Sequence, residues 1–316
     1  MKLFHSDHFV LPLPQGHRFP MQKYRRLRER VALEPGRFET HEAPAASDGE
    51  LALVHTPNYI ASVAEGLLGA AELRAIGFPW SARMAERARR SVGATIAAAR
   101  TALHEGVAAN LAGGTHHAHP DRGSGYCVFN DAAVAARLMQ AEWHRARRAL
   151  LRVLVIDLDV HQGDGTAAIF EHDPTVFTFS MHGAKNFPAR KCRSDLDVEL
   201  LDGCSDGPYL TALEHALDEV WRRHEGAPPG LAFYLAGVDA HEGDRLGRLA
   251  LTEAGLAERD RRVLDALRER RVPVALSMAG GYGRDIEQTV SLHLATLREA
   301  QASWAAWPAA MEQCRA

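Results

Sequence analysis

The chain has 316 residues, 46% of them hydrophobic, enough to bury a substantial core in one large α/β domain or two smaller ones. Its 37 Lys and Arg against 40 Asp and Glu give a formal charge of −3, without the basic excess that a phosphate backbone demands, which argues against nucleic acid as a direct partner. In the opening MKLFHSDHF, His5, Asp7 and His8 interrupt any apolar run, so neither a signal peptide nor a membrane-spanning segment is expected there.

In chain order, a helix is expected at 21–32, where the run from Lys23 to Arg30 reads as a solvated basic face. A long loop over 36–50 leads to a short strand, Leu51 to His55, and a helix at 57–70. A longer helix at 81–104, with a second solvated run from Arg87 to Arg90, precedes the strand Val107 to Ala112 and a long loop over 113–126. Asn130 and Asp131 can cap a helix at 131–147, followed by strands Val153 to Val160 and Val176 to Ser180 and a long loop over 183–208. A helix at 207–224 leads to the strand Leu231 to Val238. Thr252 and Glu253 open a helix at 252–270, and the strand Val272 to Met278 and a helix at 285–302 complete the pattern.

Strand cores such as VLVI and LAFYLAG are apolar on both faces, as expected when helices cover both sides of a sheet. With no Pro/Gly/Ser linker, composition shift or internal repeat, the expectation is an α/β fold: one three-layer αβα domain over 1–316 with a mostly parallel sheet. Cys127, Cys192, Cys204 and Cys314 form no CxxC pair, which points to a reducing, cytoplasmic setting and to no cysteine-built metal site.

The segment LRVLVIDLDVHQGDG runs an apolar strand straight into Asp157, Asp159, His161 and Asp164. Residues two apart on a strand share a face, roughly 6–7 Å apart, a spacing that two ligands can bridge through one metal ion. Ionisable groups left unpaired at the end of a buried strand are costly, and either a divalent cation or an Asp/His hydrogen-bond network would relieve that cost. LAFYLAGVDA ends in Asp239, VPVALSMAGGYG ends in Gly280, Gly281 and Tyr282, and GGTHH brings His116 and His117 to the same edge. The carboxyl ends of parallel strands are where sites form.

In GGTHHAHPDRGSGYCVFND (113–131), VIDLDVHQGDGT (155–166), GVDAHEGDRLG (237–247) and MAGGYG (278–283), the sequence resembles the histone deacetylase superfamily from about residue 5 to 300. Gln162, where many members carry a second His, and the DRLG run favour the class IV type and its bacterial relatives. The resemblance implies an arginase-like αβα fold and a single zinc ion on Asp159, His161 and Asp239, although one His with two carboxylates also accepts Fe²⁺. It implies His116 as general base, His117 as general acid or electrostatic partner, and Asp157 and Asp164 as the carboxylates orienting them. A structural K⁺ or Na⁺ would sit at Asp157 and Ser180. Tyr282 would donate to the oxyanion, and Gly280 and Gly281 would let its loop approach the metal closely.

An acyl-lysine channel is implied between Gly125, Tyr126 and Phe187. Leu246 stands where polyamine-specific relatives carry a glutamate, which disfavours acetylpolyamines. The substrate is therefore expected to be an acylated lysine in a protein or peptide, or a small acyl amine. The segment 5–24 either forms part of the mouth, with His17 and Phe19 meeting substrate, or is an ordinary loop. Two other readings stay open: a ureohydrolase with two manganese ions, which would need further bridging carboxylates, and a metal-stabilised protein that binds acylated ligands without turning them over.

Overall fold

The computed structural model describes residues 1–8 and 10–307, so Cys314 lies outside the described residues. The elements in order are β1 (Lys2–His5), α1 (Lys23–Ala32), β2 (Glu39–Glu42), α2 (Asp48–Leu51), α3 (Pro57–Glu65), α4 (Ala70–Ile76), α5 (Ala82–Glu105), β3 (Val107–Asn110) and α6 (Asp131–Arg147). There follow β4 (Val153–Asp157), α7 (Asp164–Phe170), β5 (Val176–Gly183), β6 (Leu196–Leu200), α8 (Asp206–Arg223), β7 (Leu231–Leu235), α9 (Glu253–Glu269), β8 (Val274–Ser277) and α10 (Ile286–Ala305).

The eight strands form one sheet in the order β2-β1-β3-β8-β7-β4-β5-β6, and every described pairing is parallel. Alternation along the inner strands sends side chains to two separate cores. Val153, Val155, Phe233 and Leu235 pack with α5 and α6, whereas Leu154, Ile156, Ala232 and Tyr234 pack with α1, α8, α9 and α10. This is the expected three-layer α/β architecture. The four strands whose ends carry the polar motifs, β3, β8, β7 and β4, are consecutive in the middle of the sheet.

The sequence reading needs several corrections. Leu51 to His55 is not a strand. Ser47 and Glu50 form a reciprocal capping box that folds 48–51 into α2, and Leu51 is buried as a helical residue. The helix expected at 57–70 stops at Gly66, which takes a left-handed conformation (φ +74°), and a separate α4 begins at Ala70. β1, β2 and β6 were not anticipated. The first has only four residues, and the other two are edge strands with polar, partly exposed sequences (ETHE and LDVEL) that carry no buried-strand signal. β2 and β6 also shorten the loops expected at 36–50 and 183–208. No described helix is long and apolar enough to cross a membrane. Neither basic run is a plain solvated face: Lys23 is buried, and the Arg87 guanidinium lies 4.7 Å from the centre of the Tyr24 ring.

Candidate active site

Beyond the end of β4 the chain leaves the sheet, and Asp159 and His161 turn toward Asp239 at the end of β7. One ligand atom from each of these three residues lies within 4.8 Å of the other two, and all three residues are buried. His161 Nδ1 stands 2.9 Å from Asp159 Oδ1 and 3.2 Å from Asp239 Oδ2. The backbone holds the carboxylates in place: Gly280 N–H donates to Asp159 Oδ2 (2.7 Å), His161 N–H to Asp159 Oδ1 (2.9 Å) and Val160 N–H to Asp239 Oδ1 (3.0 Å). Asp239 Oδ2 receives no well-aligned hydrogen bond, since His161 is close but poorly directed. A buried carboxylate oxygen without a donor is what a cation would satisfy.

Gly280 is required by this geometry, because a Cβ there would come within 1.8 Å of Asp239 Oδ2 and 2.4 Å of Asp159 Oδ2. Charge tells the same story. Burial disfavours the imidazolium of His161, yet its contacts with Asp159 and Asp239 carry its pKa up to about 10. Burial together with the Asp159 charge raises Asp239 to about 6. Despite burial, His116 and His161 hold Asp159 well below the usual carboxylate range. The cluster needs a positive charge at its centre, and a metal ion would compete with a proton for it. A second cluster, His5, Asp7 and His8, is different: Arg28 already pairs with the Asp7 carboxylate at 2.8 Å.

Two histidine–aspartate dyads flank the triad. The loop after β3 places the His116 and His117 rings 4.1 Å apart. His116 Nδ1 lies 2.6 Å from Asp157 Oδ2, and His117 Nδ1 lies 2.6 Å from Asp164 Oδ1, so each Nε2 is left for chemistry. Burial works against protonating His116, but Asp157 and Asp159 together raise it to about 9. Burial and the neighbouring His116 lower His117 to about 4, overriding Asp164. His119, which the sequence reading did not single out, shares Asp164 through Nε2 at 3.2 Å; its signal was the third histidine of the HHAH run. Ser180 pairs with Asp157 across the β4–β5 register, and its Oγ lies 2.9 Å from His182 Nδ1.

Tyr282 lies beside the triad, its ring 6.3 Å from that of His161, and burial keeps its phenol far above the usual range. Two unforeseen residues hold its loop. Lys23 Nζ donates to Ala279 O (3.1 Å) and Gly281 O (3.3 Å) and lies 5.4 Å from the Tyr282 ring centre. Asp244 accepts from Tyr282 N–H at 2.6 Å through one oxygen and from Leu246 N–H at 2.8 Å through the other. A third, Arg259, is fully buried and donates through Nη1 to Leu158 O (3.2 Å) and Gly237 O (2.6 Å), tying together the outgoing chains of β4 and β7. Asp244 sits inside the GVDAHEGDRLG motif and was legible there. Lys23 and Arg259 lie on helices whose sequences carry no such mark.

A cavity of about 410 Å³ opens onto the triad between Gly125, Tyr126, Phe187, Leu246 and Tyr282. The Phe187 ring stands perpendicular to His117 at 4.9 Å, and a Cβ on Gly125 would meet the His117 ring at 2.5 Å. His17 backs this wall, whereas Phe19 lines the inner pocket beside His116, His117, Asp159 and Tyr282. His17 Nε2 lies 2.9 Å from Gly77 O, and Phe19 is buried against Tyr126 at 5.1 Å. His241 accepts from Gly243 N–H through Nδ1 and does not belong to the grouped ligand atoms of Asp159, His161 and Asp239 among the described residues.

Comparison with known proteins agrees with this arrangement. A histone deacetylase domain model matches residues 17–297. An uncharacterized protein of Picosynechococcus sp. is 47% identical over 92% of this chain and 95% of its own length. Histone deacetylase 2 of Arabidopsis thaliana is 31% identical over 78% of this chain and 64% of its own. The crystal structure of an HDAC homolog complexed with SAHA superposes with a TM-score of 0.77, covering 96% of this chain and 88% of that one, at 23% identity. With its motifs gathered at the sheet edge and most of its length matched, the chain belongs to the histone deacetylase family.

Proposed function

We propose that residues 1–316 act as one catalytic domain that hydrolyses the amide of an N-acyl-lysine side chain, using one zinc ion held by Asp159, His161 and Asp239. The observation that carries the reading is the buried triad itself, in which Asp239 Oδ2 lacks a donor and His161 Nδ1 faces both carboxylates. When bound, such an ion supplies Lewis-acid polarisation of the acyl carbonyl and lowers the pKa of water toward about 7.

The chain's own groups supply the rest. His116, oriented by Asp157, accepts a proton at Nε2 from the attacking water and returns it to the departing amine, while His117, oriented by Asp164 and kept neutral by burial, serves as its electrostatic partner. Dicationic charge at the triad would lower His116 from about 9, which is what a base working near neutral pH requires. Tyr282 stays protonated and donates its O–H to the developing oxyanion. Tyr126 and Phe187 flank the acyl arm and keep water from it, and Leu246 offers a distant ammonium no anchor, which disfavours acetylpolyamines. A structural K⁺ or Na⁺ beside Asp157 and Ser180 belongs to the same reading, supported by their pairing across β4 and β5. A reducing, cytoplasmic setting is supported by the free thiols of Cys127, Cys192 and Cys204.

The test is to measure metal content of the purified chain together with turnover of lysine peptides bearing acyl groups of increasing length, small acyl amines and acetylpolyamines. One zinc per chain and hydroxamate-sensitive hydrolysis of acyl-lysine are expected. Two ions per chain, iron as the active metal, or faster turnover of acetylpolyamines than of acyl-lysine would each overturn the corresponding part.

A further inference from the structure

The outer rim of the cavity is the part of the site that the chemistry above leaves unused. Arg74 on α4, Lys185 after β5 and Arg248 after β7 line it, all exposed, and among the described residues no aspartate or glutamate does. Asp202 partly compensates two of them, lying 3.1 Å from Arg248 Nη1 and 3.8 Å from Lys185 Nζ. Arg245 directs its guanidinium at backbone, with Nε donating to Tyr282 O (2.8 Å) and Nη2 to Arg18 O (3.0 Å). Lys191, on the Phe187 loop, likewise donates to Asn186 O and Pro188 O, at 2.5 and 2.6 Å.

The chain as a whole carries a formal charge of −3, so this concentration of cations is local and does not reflect a basic protein. Cations around a cleft with low-dielectric walls focus their field into it. An opening of this size is comparable with the screening length of about 8–10 Å at moderate salt, so the rim charges act together on whatever enters.

We propose that this rim selects acyl-lysines set in acidic sequence, with carboxylates beside the acylated residue meeting Arg74, Lys185 and Arg248 while the acyl arm enters between Tyr126 and Phe187. The proposal rests on the acyl-lysine reading above and narrows it. The same rim repels the ammonium groups of acetylpolyamines, adding to the missing anchor at Leu246.

The test uses the zinc-loaded full chain and two acetyl-lysine peptides that differ only in Glu or Lys at the flanking positions. Hydrolysis is read as kcat/KM, and binding of the fluorescein-labelled peptides is read by anisotropy. At ~50 mM salt the Glu-flanked peptide is expected to lead by about tenfold or more in both readouts, with the gap closing near ~0.5 M salt. In the Arg74→Glu/Arg248→Glu double variant the ratio of the two peptides should collapse or invert, whatever the absolute rate. Equal or reversed preference at low salt, or a ratio unmoved by the double variant, overturns the proposal. A small carboxylated N-acetyl amine that outperforms the Glu-flanked peptide would refute the assignment to a protein segment. If neither peptide is hydrolysed, the deacylase reading fails, while anisotropy still decides the charge preference.

Discussion

The two histidine–aspartate dyads make the same 2.6 Å contact and reach opposite protonation states, with His116 raised to about 9 and His117 lowered to about 4. His55, buried elsewhere with no carboxylate partner, shows what burial does alone: it too falls to about 4. A single aspartate therefore does not offset burial when a charged neighbour opposes it, as His116 does for His117. Two aspartates do, because His116 also has Asp159 at 3.9 Å. The lesson is that the dyad contact orients each ring, while the next shell of charge sets its proton affinity.

Removing Asp159 attacks this difference at its source and should have the largest effect. Asp159→Asn, and likewise Asp239→Asn, should lose zinc and activity together, read by metal analysis and turnover of the purified variants; retained zinc would remove the triad from the mechanism. Tyr282→Phe should lower kcat by about a hundredfold or more with zinc still bound, since an oxyanion donor is lost while the ligands stay. Unchanged turnover would refute that role. Asp157→Asn and Asp164→Asn compare the dyads directly. Each should lower kcat by on the order of 10²-fold, and the acidic limb of the pH profile should move to lower pH mainly in Asp157→Asn, because Asp157 helps raise the histidine that acts as base.

Lys23→Met should reduce kcat by about tenfold with KM nearly constant, because the Ala279 and Gly281 carbonyls lose their donor and Tyr282 loses its position. A loss of kcat matched by an equal loss of folded protein, read by circular dichroism and active-site titration with a hydroxamate, would argue for a simple folding defect. The smallest effect concerns His55, whose Nε2 accepts from Asn130 N–H and which therefore must be neutral in the fold. Its folded pKa, about 4, lies below the ordinary value of 6.5, so the unfolded chain binds more protons between these limits. Its contribution to stability is complete above pH 6.5 and is lost as pH falls toward 4, so the Tm profile should slope through that window and flatten in His55→Gln.

The sequence by itself determined the α/β class, the apolar inner strands and the residues at their ends. Burial on both faces writes a continuous apolar run, and an ionisable cluster at the close of such a run stands out against it. Asp159, His161, Asp239, His116, His117 and Tyr282, which the structure groups at the sheet edge, stood out in this way, and the family resemblance supplied the roles proposed for them. The edge strands β2 and β6 were not legible, because half-exposed strands look like loops, and neither was the capping box that turns Leu51 to His55 away from a strand. Only the tertiary structure decided which groups meet from distant helices. Lys23 on α1 reaches the Tyr282 loop, and Arg259 on α9 reaches the ends of β4 and β7. Likewise only the assembled loops bring Arg74, Lys185 and Arg248 to one rim. Local sequence records propensity and burial, but a long-range contact is set by how the layers pack, and a proton affinity by the sum of charges that packing brings together.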